Sequence, residues 1–259
     1  VIRVVNVTQH YGIKPVLKDV SLEIPSGTRT AVIGPNGTGK TTLLSVIGGV
    51  LAPQYGYVEI DGMRRRSSIE NELEIRKRAV FLPDRSFLPK NRTGREFLLG
   101  VGRVYEVEEE RLLLHSQRLL ELFDLSPLSE APIRTYSAGQ QKKIALSAAL
   151  ITDADILLLD EPFSGGLDPS GILAMRHVIQ RLAQEQGRTI VLTSPVPELV
   201  AEVADRLVVI RNGVVAANGS IEEIRRQTGH QGSIESMLHQ VIFPEASGKL
   251  DAYFRGEKS

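Results

Sequence analysis

Gly34-Pro35-Asn36-Gly37-Thr38-Gly39-Lys40-Thr41-Thr42 is the stretch on which the reading of this chain turns. Gly34, Gly39, Lys40 and Thr41 stand in the register G-x-x-x-x-G-K-[ST] of a loop that cradles phosphates. Successive backbone N–H groups in such a turn make a concave anion site, and glycines leave out the Cβ atoms that would fill it. Asn36, Gly37, Thr38, Gly39 and Thr42 belong to that cradle. Lys40 is placed to bring its ammonium to the β- and γ-phosphates, and the Thr41 hydroxyl to ligate Mg²⁺. The flanks suit the motif. Arg29-Thr30-Ala31-Val32-Ile33 reads as a strand entering the loop, and Leu43-Leu44-Ser45-Val46-Ile47 as a helix leaving it. The phosphates would therefore meet the positive end of a helix. The stretch predicts that the chain binds a nucleoside triphosphate.

Ile156-Leu157-Leu158-Leu159-Asp160-Glu161-Pro162 is a short apolar run ending in two carboxylates. Such a run suits a strand buried on both faces of a parallel sheet. Asp160, at the strand's end, is expected to hold Mg²⁺ through water. Glu161 is then free to polarise the attacking water.

Between these two motifs lies Tyr136-Ser137-Ala138-Gly139-Gln140-Gln141. Taken by itself the segment reads as a helix N-cap, with Ser137 ahead of Gln140 and a helix over 142–150. A phosphate loop, then this Ser-small-Gly-Gln segment, then an Asp-Glu-Pro strand, resembles the ATP-binding-cassette (ABC) ATPases, over residues 1 to about 219. The resemblance implies an α/β phosphate-loop core with a mixed sheet, an N-terminal antiparallel β subdomain and an inserted helical subdomain at about 88–150. It implies ATP and Mg²⁺ as ligands. It also implies a head-to-tail dimer in which Ser137, Ala138, Gly139 and Gln140 close over the nucleotide of the opposite subunit. The cap and the anion site are compatible, because a helix N-terminus favours negative charge. Tyr11 matches the aromatic that stacks on adenine, although a tyrosine there also suits a structural role. Asp205-Arg206, the run Leu207-Val208-Val209-Ile210 and the turn Arg211-Asn212-Gly213 match the family's closing hairpin, itself a strong hairpin signal.

Four departures from the family pattern bear on chemistry. Asp84 follows Pro83 after the strand Ala79-Val80-Phe81-Leu82, where the family has glutamine. A carboxylate there is a candidate Mg²⁺ ligand but, ionised, donates no hydrogen bond. The family's spacing to Asp205-Arg206 puts its switch histidine at position 195, which is Pro195. None of His10, His115, His177, His230 and His239 is near it in sequence. The segment Pro162-Phe163-Ser164-Gly165-Gly166-Leu167 carries an extra glycine, which leaves the register of Asp168 open. Ala138 stands where the signature has glycine, a mild change at negative φ and a costly one at positive φ. These changes touch groups that act on the transition state, and one lost donor there costs about 10²–10³ in rate. The expectation is tight ATP binding with slow or partner-dependent hydrolysis.

The chain has 259 residues, enough for one such domain with an ample core. Its 31 Lys+Arg balance 31 Asp+Glu, so no global field favours nucleic acid. It contains no cysteine, which excludes disulfides and thiolate metal sites. Its longest apolar stretches, such as 43–52, fall short of the ~20 residues of a membrane helix, and no secretory leader is visible at the N-terminus. A soluble cytoplasmic protein, peripheral on the cytoplasmic face of the membrane, is the expectation. Strands are predicted at 2–8, 20–24, 30–33 and 57–60. Helical structure is predicted from 88 to 132, with Leu112, Leu113, Leu119, Leu120 and Leu122 giving 107–123 an amphipathic pattern. Phe87, Leu88 and Phe97 are candidates for the groove that receives a permease helix in transporters of this family, or for the subdomain core. Arg64-Arg65-Arg66 reads as a solvated turn. Residues 220–259 form a C-terminal extension: a capping box at Ser220-Ile221-Glu222-Glu223, a second helix over 233–242 and a polar tail over 245–259. A similar two-helix end occurs in export-type members of the family.

Two functions follow from the resemblance. The first is the subunit that energises a membrane transporter through ATP-driven dimer closure, with a second ABC subunit and a membrane permease as partners. The second is a nucleotide-gated assembly or regulatory module with little turnover. Relatives acting on nucleic acid fit less well, given one cassette, no long coiled-coil insertion and no net basic charge.

Overall fold

A computed structural model describes residues 1–242, so the polar tail expected at 245–259 lies outside the described residues. The chain opens with two antiparallel strands, β1 (Ile2–His10) and β2 (Pro15–Ile24), whose alternating burial is that of a half-buried sheet. β3 (Arg29–Ile33) follows, then the phosphate loop and α1 (Lys40–Ile47). β4 (Tyr55–Ile60) and β5 (Met63–Arg64) complete a four-stranded sheet in the order β2-β1-β4-β5. Next come α2 (Ile69–Arg78) and β6 (Ala79–Leu82). The helical insertion holds α3 (Gly94–Val104), α4 (Glu109–Leu122) and α5 (Ala138–Leu150).

β7 (Ile156–Leu159), α6 (Pro169–Gln186), β8 (Thr189–Thr193), α7 (Pro197–Val203), β9 (Arg206–Arg211) and β10 (Val214–Ser220) return the chain to the core. They build a six-stranded sheet in the order β10-β9-β3-β8-β7-β6, parallel except for the β9–β10 hairpin. This is the mixed sheet and the antiparallel subdomain that the resemblance implies. Successive residues on one strand point to opposite faces, and the two cores follow that period. Ala31, Ile33, Leu157, Leu159, Ile190 and Leu192 pack with the helical insertion on one face. Val32, Ile156, Leu158 and Val191 pack with α1 and the small sheet on the other. α8 (Ile221–Thr228) starts at the expected capping box, and α9 (Ile234–Ile242) follows. Met237, Leu238 and Ile242 are buried in the same core as Val200, Val203, Leu207 and Val209.

Two expectations change. The helix after the signature begins at Ala138, not at 142, because Ser137 and Gln140 form a reciprocal capping box on the signature itself. Arg64-Arg65-Arg66 is a solvated turn only in part, with Arg64 and Arg66 exposed. Arg65 is buried and donates from Nε to Ile47 O at 2.6 Å and from Nη1 to Glu72 at 2.9 Å. Arg66 donates to Gly49 O, and the Arg64 guanidinium lies 4.2 Å over the Tyr57 ring. The open carbonyls at the C-terminal end of α1 attract Arg65 and Arg66.

Candidate functional site

The order β3-β8-β7-β6 sets four C-terminal strand ends in a row, the edge where ligands bind in such sheets. Gly34, Ser194-Pro195, Asp160-Glu161 and Pro83-Asp84 lead out of those ends. In the loop, Thr38 donates from both N and Oγ1 to Pro35 O, closing a turn. Gly39 sits at φ +104°, and a Cβ there would run into Leu17 and Val16. Only glycine satisfies both demands. α1 has no side-chain cap, so its first N–H groups are open to an anion. Lys40 is buried and donates from Nζ to Gly34 O at 2.9 Å and Pro35 O at 3.0 Å. Burial lowers its pKa, against the opposing pull of Glu161 and Asp160.

Asp160 is the hub. Its Oδ1 accepts from Thr193 Oγ1 at 2.6 Å and from Thr41 Oγ1 at 3.1 Å. Its Oδ2 is buried without a hydrogen-bond partner. A buried carboxylate oxygen without a donor is unstable unless a cation or ordered water meets it. With the Thr41 hydroxyl alongside, these oxygens fit Mg²⁺, a hard ion that takes few protein ligands and keeps waters and phosphates.

Glu161 holds φ +46°, a region that non-glycine residues seldom adopt. Its N–H donates to Thr193 Oγ1 at 2.9 Å. Thr193 therefore ties both carboxylate residues to the end of β8. Partial burial, then the charges of Asp84 and Asp160, push the Glu161 pKa up, while Lys40 and Lys142 pull it down. A carboxylate of raised pKa is the better base.

Asp84 is turned toward the helical insertion. Its Oδ1 lies 2.6 Å from Ser164 Oγ and 3.4 Å from Lys142 Nζ, which also reaches Asp84 O at 3.2 Å. Asp168 proves to be the N-cap of α6, accepting from Gly171 N at 2.8 Å and pairing with Lys143. Ala138 lies in the first turn of α5 with no positive φ, so its methyl is tolerated. Gly139 is not replaceable in the same way, since a Cβ there would strike Gly166 O. Ser137 and Ala138 are exposed, and Tyr11 is exposed in the β1–β2 loop. Pro195 is exposed and offers no donor.

Beside the β6 end, Phe87 is fully exposed, while Leu88 is buried. Phe87, Leu88, Phe97, Val101 and Tyr105 line a groove of about 340 Å³. Thr193, Lys142 and Ser164 are the members of the site that sequence reasoning missed. The one signal for Thr193 was a polar residue closing an apolar strand. For Lys142 it was a pair of lysines entering an otherwise apolar helix.

A glycine-bound phosphate loop between strand and helix, with an aspartate at a neighbouring strand end, defines a phosphate-loop NTPase. Residues 17–164 match the family model described as ABC transporter. The daunorubicin resistance ATP-binding protein of Streptomyces coeruleorubidus is 34% identical over 221 residues, covering 85% of this chain and 68% of that one. A solved ATP-binding subunit of an ABC transporter superposes with a TM-score of 0.83 at 27% identity, covering 93% of this chain and 98% of that one. A dimeric ATP-binding cassette in a post-hydrolysis state, bound to ADP and Pi, superposes at 0.76 with 25% identity, covering 85% and 98%. The chain belongs to the ABC transporter family, as an ATP-binding subunit and ATPase. No helix among the described residues is long and apolar enough to cross a membrane.

Proposed function

We propose that this chain energises a membrane permease by binding and hydrolysing ATP at two composite sites of a head-to-tail dimer. The observation that carries the reading is the convergence of Thr41, Asp160 and Thr193 beside the phosphate loop, with one Asp160 oxygen left without a donor. Asn36 to Thr42 hold the phosphates and Tyr11 the adenine. Thr41 and Asp160 hold Mg²⁺, which neutralises phosphate charge when bound. Glu161, fixed at its backbone by Thr193, orients and accepts a proton from the attacking water. Ser137, Ala138, Gly139 and Gln140 face the partner's nucleotide, for which the exposure of Ser137 and Ala138 leaves room. Asp84, held by Lys142 and Ser164, would serve as a further Mg²⁺ ligand only on release from them.

Docking of an apolar permease helix in the groove under Phe87 places the chain on the cytoplasmic face of a membrane. The ABC domain ends near residue 219 and 220–259 is an extension, of which α9 packs against α7 and β9. Likeness to a drug-resistance protein supports an exporter. Turnover is slow, because Pro195 supplies no donor to the developing charge. Pro195 also favours a second reading, a nucleotide-gated module whose closure on ATP is the output.

Mg²⁺-dependent ATPase assays of the wild type, Glu161→Gln and Pro195→His decide between them. Turnover that Glu161→Gln abolishes supports the transporter subunit. A silent wild type that gains turnover in Pro195→His supports the gate. Turnover undiminished in Glu161→Gln would overturn the role given to Glu161.

A further inference from the structure

At the far end of the sheet from the phosphate loop, α4, α6 and the turn before β7 enclose a cavity of about 760 Å³. Its polar lining includes Arg111, Arg118, Arg188, His115, His177 and Gln186, with the carboxylate of Asp153 among them. Asp153 and Arg188 precede β7 and β8, whereas the nucleotide-site residues Asp160 and Thr193 lie at the other ends of those strands. The two sites are therefore separated by the length of a strand.

Asp153 is already engaged. It pairs with Arg111 at 2.8 Å and with the buried Arg188 at 2.9 Å, with His115 Nδ1 at 3.9 Å. Arg118 is exposed and has no carboxylate partner among the described residues. Much of the remaining lining is apolar: Leu114 and Leu122, on the same helix as Arg111 and Arg118, with Leu150, Val178 and Leu182. Leu114 and Leu122 are about half exposed there, at 49% and 44%. A concave space within roughly 300–1,000 Å³ that joins apolar walls to a few convergent charges is the usual form of a small-molecule site. Excess positive charge next to apolar walls selects a ligand with both an anionic head and an apolar body.

We propose that this cavity binds a small amphipathic anion, an alkyl or aryl group carrying a phosphate or carboxylate, taken from free solution. The head lies against Arg118 and the edge of the Arg111–Asp153–Arg188 cluster, and the body covers Leu114 and Leu122. Because α4 belongs to the helical insertion and α6 to the core, the ligand bridges the two lobes. Its binding is thereby coupled to any movement of one lobe against the other.

Decyl phosphate, below its micelle concentration, is titrated into the full chain by calorimetry, with inorganic phosphate and decanol as separate arms. Saturable one-to-one binding of decyl phosphate, weakened about tenfold or more by Arg118→Glu and not displaced by excess Mg²⁺–ATP, is expected. Leu114→Asp should weaken it as well. Both positions are exposed, and circular dichroism with the ATP-induced rise in Tm verifies that each variant is folded. If Leu114→Asp does not fold, Arg118→Glu decides alone. Three results overturn the proposal: no saturable binding of decyl phosphate, binding that Arg118→Glu leaves unchanged, or inorganic phosphate or decanol binding as tightly. Capture of the chain by anionic phosphatidylglycerol vesicles without binding of decyl phosphate overturns it too, in favour of a bilayer surface.

Discussion

Lys142 Nζ, at the buried base of the signature helix, has Asp84 as its hydrogen-bonding partner, at 3.2 Å to the carbonyl and 3.4 Å to Oδ1. The pair spans the joint between α5 and the end of β6, so it fastens the helical insertion to the edge of the sheet that carries the nucleotide site. Burial lowers the Lys142 pKa, and Asp84 is the main influence raising it. Removing the Asp84 carboxylate would leave a buried ammonium with only the weaker pull of Asp160 and Glu161 to offset its burial.

Asp84→Ala should therefore destabilise the fold by about 1–3 kcal/mol, less than a fully buried pair because Asp84 is 39% exposed. Lys142→Met removes the charge together with its need for a partner and should cost less. The double variant should recover much of the Asp84→Ala loss. Urea unfolding of the four proteins gives the coupling directly. Strictly additive losses would show that the pair contributes nothing to the joint.

Thr193 sits between the two acidic residues, donating to Asp160 and accepting from the Glu161 N–H. Thr193→Val keeps the shape but leaves that N–H unpaired and leaves Asp160 Oδ1 with Thr41 as its one remaining donor. Groups that orient a metal-binding carboxylate typically contribute 10–100-fold. A fall in kcat of about that size is expected, with ATP affinity measured without metal nearly unchanged because the phosphate loop is untouched. An unaltered kcat would remove Thr193 from the site.

Glu161 provides a pH test. Its pKa is raised in the folded state, first by burial and then by Asp84 and Asp160. Ionising it therefore works against the fold: stability is full below the unfolded pKa and declines as pH rises through the folded one. Glu161→Gln mimics the protonated form. It should melt higher than the wild type at neutral pH, and the gap should close on acidification below the ordinary glutamate pKa. A gap that stays constant with pH contradicts the raised pKa.

Much of this architecture was legible because its signals are local. The strand before Gly34, the helix after it, the Ile156–Leu159 strand and the Asn212-Gly213 hairpin all follow from short runs of residue type. The capping boxes at Ser137 and Ser220 were likewise visible, although the first moved the helix start by a turn. What stayed hidden depends on residues distant in sequence. Arg65 reads as a surface charge until α1 presents its terminal carbonyls and α2 brings Glu72. Thr193 and Asp160 are 33 residues apart and meet only because β8 lies next to β7. Asp84 reads as an isolated carboxylate until α5 packs Lys142 beneath it.

The signature carries the last test, because its two small residues differ in what they can accept. Ala138 is exposed in the first helical turn, where alanine is the better helix former than glycine, by up to ~1 kcal/mol. Restoring the family's glycine with Ala138→Gly should therefore lower Tm slightly and gain no ATPase activity. Gly139→Ala differs, since its Cβ would strike Gly166 O, in the loop that runs from Glu161 to the Asp168 cap. Neither backbone can withdraw freely: Gly166 is held at φ +81°, and Gly139 lies within the capped first turn of α5. Overpacking of this kind costs about 1–3 kcal/mol, and the displaced loop should also lower turnover. Thermal unfolding and ATPase assays of both variants check the contrast. Equal, small effects at the two positions would mean that the loop yields, and that the extra glycine there gives slack rather than a fixed approach.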